Sequence, residues 1–224
     1  MHHAMQAPPE VSDKGKRVIH EQREKMKAGK RAPSVVIAAN IVIPARQRIL
    51  TDQQVREALT ISDSVGITAC GCRVSEDNCD APVDVCIVLG MSAEEIEEDD
   101  ETRLISTEDA LKLLDRTSES GLVHITMRAG DNTPYAICSC CSCCCHELLA
   151  MSKFGYSDQV MESDFIANLD TDACTGCMIC IDRCQFGAFT EDGDKARLDV
   201  AICFGCGLCV MTCPEDAIAL KERS

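Results

Sequence analysis

Apolar and polar positions alternate along this 224-residue chain in short blocks, and each block predicts one element. Residues 35–43 are a β-branched run closed by Pro44 and read as a strand. Thr51-Asp52-Gln53-Gln54 has the form of a capping box and predicts a helix over 52–62, with Val55, Leu59 and Ser62 on one face. Residues 65–69 read as a short strand delivering Cys70 and Cys72, and 83–89 as a second apolar strand. Ser106 and Thr107 cap a helix over 108–118, with acid in its first turn and Gly121 just past its end. Residues 122–127 and 135–138 read as strands around a turn at 129–134, and 146–153 as a helix stopped at Gly155. The acidic run at 94–101 reads as a loop or frayed helix, and the Lys/Arg/Glu-rich stretch at 11–30 as a solvated helix or arm.

The order β–α–β–β–α–β–β–α predicts a small, Cys-rich α/β or α+β domain over 35–160. A basic arm at 1–34 precedes it, and a separate unit at 161–224 follows, with the boundary near 156–164. The fold class expected for the whole chain is α+β.

The last unit is an internal duplication with an offset of 29 residues: Leu169-Asp170 and Ala188-Phe189 recur as Leu198-Asp199 and Ala217-Ile218. Between these pairs lie two matching runs, Cys174, Cys177, Cys180, Cys184 and Cys203, Cys206, Cys209, Cys213, each spaced C-x2-C-x2-C-x3-C. Three thiolates at that spacing wrap three corners of an iron–sulfur cube, and the fourth begins a turn running away from it. A pair of zinc sites is the competing reading.

On these residues the segment resembles the two-[4Fe–4S] module of bacterial ferredoxins. The resemblance implies a pseudo-twofold dicluster fold. It also implies one cube on Cys174, Cys177, Cys180 and Cys213, and another on Cys203, Cys206, Cys209 and, crossing back, Cys184. It would use Gly176, Gly205 and Gly207 for close approach of backbone amides to cluster sulfur. Gln185 departs from the pattern, because the family places proline there, but proline is not a ligand.

Ten further cysteines fall in two segments: Cys70, Cys72, Cys79, Cys86, and Cys138, Cys140, Cys141, Cys143, Cys144, Cys145. Three consecutive thiols cannot all point into one core, so some are expected to bind metal. The leading reading is one or two additional Fe–S clusters. A tetrahedral zinc site tying the two segments together is the second, and a reactive thiol or disulfide centre the third. The layout is similar to ferredoxin-like proteins of anaerobes that place a C-x-C-R…C…C segment and a CC-x-CCC segment ahead of two cubane motifs. That similarity implies extra iron–sulfur chemistry without naming a reaction. The noncubane clusters of heterodisulfide reductases are a weaker match, since their CCG motif is absent. His146 is weighed as a ligand against a helix-start residue, and His124 is read as structural. Arg73 and Arg128 are assigned by default to surface salt bridges, against contact with cluster sulfur or a substrate carboxylate.

Composition and charge narrow the class. With no Trp and 3% aromatic residues, cores must be aliphatic. The first nine residues lack the apolar core of a signal peptide, so eighteen cysteines point to metal binding in a reducing cytoplasm, in an anaerobe. No apolar run reaches the length of a membrane span. The net charge of −15 comprises +6 over 1–50, −14 over 51–160 and −7 over 161–224. This argues against a nucleic-acid partner and suits redox partners with a basic docking surface, although acidity also serves solubility. No dinucleotide fingerprint, P-loop or Ser/His/Asp arrangement occurs, and no catalytic residue is assigned. The expected function is a carrier, or a subunit of a larger complex, that relays low-potential electrons between a donor and a partner oxidoreductase. It would do so through two [4Fe–4S] cubanes and a further N-terminal metal centre. The alternatives are a small redox enzyme with a substrate-binding Fe–S centre within 70–145, and a zinc-stapled adaptor that docks the ferredoxin module.

Overall fold

The computed structural model describes residues 47–91, 102–128, 134–155 and 160–223, with Arg17 and His20 as isolated positions. The remainder of the basic arm, the strand expected at 35–43, the acidic run at 94–101 and the turn at 129–133 lie outside the described residues. So do the Arg128 side chain and residues 156–159 of the expected boundary.

Thr51 opens the first helix as its sequence requires. Its hydroxyl accepts the Gln54 N–H at 3.3 Å, and Gln54 Oε1 accepts the Thr51 N–H at 3.0 Å. This is α1 (Asp52–Ile61), which follows β1 (Gln47–Leu50). After it come β2 (Val65–Ala69), the short α2 (Gly71–Glu76), β3 (Asp84–Leu89) and β4 (Thr102–Ile105). Ser106 caps α3 (Thr107–Glu119), and β5 (Val123–Arg128) and β6 (Pro134–Cys140) follow. Then comes α4 (His146–Phe154), ended by Gly155 in the left-handed conformation at φ 65°, and β7 (Val160–Met161). The elements β1, α2, β4 and β7 were not legible from pattern, because they are short and lack the apolar runs that marked β2 and β3. Strand β6 also runs two residues beyond its expected end, which places Cys140 on it.

These strands form one seven-stranded sheet, ordered β4-β2-β3-β6-β5-β1-β7. Every neighbouring pair is antiparallel except β1 and β7. The expected α/β domain is therefore an antiparallel α+β unit. Alternation along the strands gives the sheet two buried faces. Leu50, Ile67, Ile87 and Ile137 face α1 and α3, where Val55, Leu59 and Leu114 complete a core. Each fully buried aliphatic there contributes about 1.5–3 kcal/mol. Ile49, Val123, Ile125 and Cys140 face the other way, against Leu148 and Met151 of α4 and Leu208 of the C-terminal unit.

The C-terminal unit contains β8 (Phe165–Leu169), α5 (Ile179–Arg183), β9 (Phe189–Asp192), β10 (Lys195–Leu198), a 3-10 turn (Val210–Thr212) and β11 (Ile218–Glu222). Strand β8 pairs with β11, and β9 with β10, so each half finds its strand partner in the other. Gly176 and Gly205 mark the same exchange. They sit at φ 73° and 74°, and a Cβ would stand 1.9 Å from the Asp194 carbonyl oxygen and 1.8 Å from that of Phe165. The glycines are needed for close approach to the opposite half's backbone. Among the described residues, no helix is long and apolar enough to cross a membrane.

Candidate metal centres

In the C-terminal unit the thiols gather in two crossing sets. Cys180 has Cys177, Cys174 and Cys213 as its charged-thiol neighbours, while Cys209 has Cys206, Cys184 and Cys203. The local reason is that Cys184 and Cys213 each terminate their run's short helix, in extended conformation, and so leave their own set. A small cavity is lined by Cys174, Cys177, Cys180 and Cys213 with Leu169 and Ile218. Burial pushes the Cys180 thiol up to about 11 and Cys206 to about 12, and raises Cys209 as well. A bound metal reverses that preference by stabilising thiolate. Backbone donors are already aimed at sulfur: Ala188 N–H at Cys184 Sγ, 3.3 Å away, and Ala196 and Gly176 N–H at Cys174, which lower its pKa. Among the described residues, no three thiols of these sets lie within 4.8 Å of one another. Sets of four deprotonatable sulfurs, spread apart and met by amide donors, fit [4Fe–4S] cubes.

The ten N-terminal cysteines, which sequence could not sort, divide six and four. Strand register makes the larger group. Ile87 pairs with Ile137 in β3 and β6, which brings Cys86 beside Cys138, and Cys138 and Cys140 share a face two residues apart. The thiols perturb one another's ionisation in a chain from Cys70 through Cys86, Cys138, Cys140 and Cys145 to Cys72. Cys138 is pulled down to about 5 by the thiols of Cys140 and Cys86. Cys145 is lowered by Cys140, by Cys72 and by the N–H groups opening α4. Their neighbours Cys70, Cys72, Cys86 and Cys140 are raised in turn.

The smaller group is Cys79, Cys141, Cys143 and Cys144, whose sulfurs all lie within 4.8 Å of one another. Cys141 is lowered to about 4, first by the Cys143 thiol and then, against burial, by the Arg73 guanidinium. Arg73 corrects the surface assignment made from sequence, for it is 2% exposed. It donates to the carbonyls of Pro82 and Ser139, the latter at 3.0 Å, and to Cys141 Sγ at 3.6 Å. Burial disfavours its charge, but the Cys141 thiol and the nearby Cys70 and Cys79 more than compensate. The C-x-C-R spelling was the available signal, since a cation one residue from a thiol pair suits a buried anion.

Neither histidine side chain is grouped with the four-thiol set. His146 Nε2 is 3.1 Å from Glu76 Oε1, tying α4 to α2, while its backbone N–H points to Cys72. His124 is buried between Ser118 and Ser139, and burial lowers it to about 4.

The two units share one apolar cluster. Leu208, Phe186, Phe204 and Cys206 of the module belong to it together with Cys138, Cys140 and Cys145. The Phe186 and Phe204 rings lie 4.6 Å apart. A groove of about 1070 Å³ runs along the same junction, with Cys206 in its wall and Asp52, Glu57, Glu162, Asp164 and Glu222 among its carboxylates.

No curated protein matches the chain. A family model of the 4Fe-4S dicluster domain matches residues 173–218, a span that contains all eight cysteines of the paired runs. Residues 173–218 form a ferredoxin-type iron–sulfur module, and electron transfer is the class of activity it brings to the chain.

Proposed function

We propose that the chain is an iron–sulfur electron carrier, alone or as a subunit, relaying low-potential electrons between a donor and a partner oxidoreductase. Cys174, Cys177, Cys180 and Cys213 hold one [4Fe–4S] cube, and Cys184, Cys203, Cys206 and Cys209 hold the other. The six-thiol group built on Cys138, Cys140 and Cys145 holds a third iron–sulfur centre. When bound, each cluster supplies a one-electron couple tuned by hydrogen bonds to sulfur and by burial. The protein's part is to hold the thiolates, aim amides at them and exclude water between the units with Phe186 and Phe204.

The observation that carries this reading is the apolar cluster shared by Cys206 and the thiols of Cys138, Cys140 and Cys145. It puts a ligand of the second cube and the six-thiol group in one apolar cluster. The carboxylates around the groove suit a partner with a basic patch, which would be steered to the wall containing Cys206.

Iron and labile sulfide of anaerobically purified protein, with EPR during reductive titration, test it. The expected result is more iron than the about eight atoms that two cubes hold, with a third signal. Replacing Cys138 and Cys145 together by Ser should remove only the excess. Iron at the two-cube level in the unaltered protein would overturn the third centre. Failure to accept electrons from any low-potential donor would overturn the relay.

A further inference from the structure

The four-thiol group differs in geometry from the sets suited to cubes. Its sulfur separations include 3.7 Å for Cys79 to Cys144 and 3.8 Å for both Cys79 to Cys141 and Cys143 to Cys144. Four sulfurs around one ion at the zinc–thiolate distance of about 2.3 Å stand about 3.8 Å apart along a tetrahedron's edges. A cube places irons and sulfides between its thiolates and spreads them well beyond that.

We propose that Cys79, Cys141, Cys143 and Cys144 bind one tetrahedral zinc ion, in a structural site separate from the iron–sulfur centres. Four protein thiolates fill the coordination shell and leave no position open to substrate, as in structural zinc sites. Zinc outranks ferrous iron in affinity for such a ligand set. A second, independent observation is Arg73, which is fully buried and directs its charge at Cys141 Sγ. A zinc tetrathiolate carries net negative charge, and a buried cation beside it offsets the cost of burying both. The site would join the loop after α2, which carries Cys79, to the turn between β6 and α4. Asn78 already donates across the same junction to the Cys143 carbonyl at 3.0 Å. The inference does not depend on the electron-relay reading.

The test is metal analysis and zinc-edge X-ray absorption on the full-length protein purified anaerobically, with iron and sulfide counted in parallel. One zinc per chain, with four sulfur neighbours at about 2.3 Å, is expected. Cys79→Ser and Cys144→Ser should each lose that zinc and keep the iron and sulfide of the C-terminal module. Arg73→Gln should weaken zinc binding about 10- to 100-fold in competition with a chelator, as loss of an outer-shell partner does. Should the serine variants fail to fold, the spectrum of the unaltered protein still decides. Zinc absent, zinc with nitrogen or oxygen neighbours, sulfide-free iron in the four-sulfur site, or zinc retained by folded serine variants would overturn the proposal. Because iron and sulfide are counted separately, failure here leaves the relay's own test intact.

Discussion

Gln185 Oε1 accepts the backbone N–H of Ser142 at 3.0 Å, across the junction between the dicluster module and the cysteine-rich turn. The same side chain donates through Nε2 to the Gly121 carbonyl at 2.9 Å. Two residues earlier Arg183 donates to the carbonyls of Glu119, at 2.8 Å, and Ser118. Proline, which ferredoxin-like sequences place where Gln185 stands, could make neither amide contact. The departure from the family pattern is therefore a docking device.

Gln185→Pro should leave the iron content of the module unchanged while loosening its seat. Leaving the part-buried Ser142 N–H and Gly121 carbonyl unpaired costs about 1–3 kcal/mol for each group whose desolvation is not relieved by water. Denaturant titration gives the stability loss, and hydrogen exchange should rise at 118–122 and 141–143. An unchanged exchange pattern there would remove Gln185 from the interface.

If the crossing thiol sets are the cluster ligands, their grouping predicts which double substitutions overlap. Cys184→Ser combined with Cys206→Ser touches one cube and should cost about four iron, whereas Cys184→Ser with Cys177→Ser touches both and should cost about eight. Iron analysis with Mössbauer spectra separates the two outcomes. The reverse pattern, about eight iron lost from the first pair and about four from the second, would show that the runs do not exchange their fourth cysteine.

His124 sets an acid-sensitive step. Ser118 donates to Asp52 Oδ1 at 2.9 Å, so its oxygen is left to accept His124 Nε2–H, and His124 Nδ1 accepts from Ser139. A neutral imidazole satisfies both contacts. Burial lowers its folded pKa from 6.5 to about 4. The unfolded chain thus takes the proton first. The contribution is complete above pH 6.5 and is lost as pH falls through 4, by up to about 3 kcal/mol. His124→Gln should flatten the difference in urea stability between pH 7 and pH 5. A variant that retains the full acid loss would assign it elsewhere.

Gly176→Ala and Gly205→Ala should each prevent the halves from closing. At positive φ the new Cβ would overlap a backbone oxygen, which cannot swing aside as a side chain could. Destabilisation above about 4 kcal/mol is expected, read as lost iron incorporation and a lowered unfolding midpoint. Gly187→Ala, at φ 71° but with nothing within 4 Å of its Cβ, should cost far less.

The C-terminal runs could be read from sequence because their ligand spacing is local: the chain between Cys174 and Cys180 must itself wrap whatever they bind. Thr51, Ser106 and Gly155 were equally legible, since a cap is made with residues three or four positions away. The sorting of the ten N-terminal cysteines was not. It depends on the pairing of Ile87 with Ile137, and on the turn that brings Cys141, Cys143 and Cys144 to Cys79, contacts between residues 50 or more positions apart. Arg73 was misread for the same reason. A charged residue is exposed by default until something buried is known to need its charge, and that partner, Cys141, lies 68 residues away.

The exchange of strands and fourth cysteines between the two repeats limits what either repeat could be alone. Cut off from its twin, the segment from β8 to β9 would expose unpaired strand edges, hold three corners of a cube and carry an orphan thiol. It could satisfy all of these only by meeting a second copy of itself about a twofold axis. The module thus has the anatomy of an intertwined homodimer written as one polypeptide. The 29-residue offset records that symmetry in the sequence, and the connection between β9 and β10 turns the meeting of two chains into the closure of a short loop.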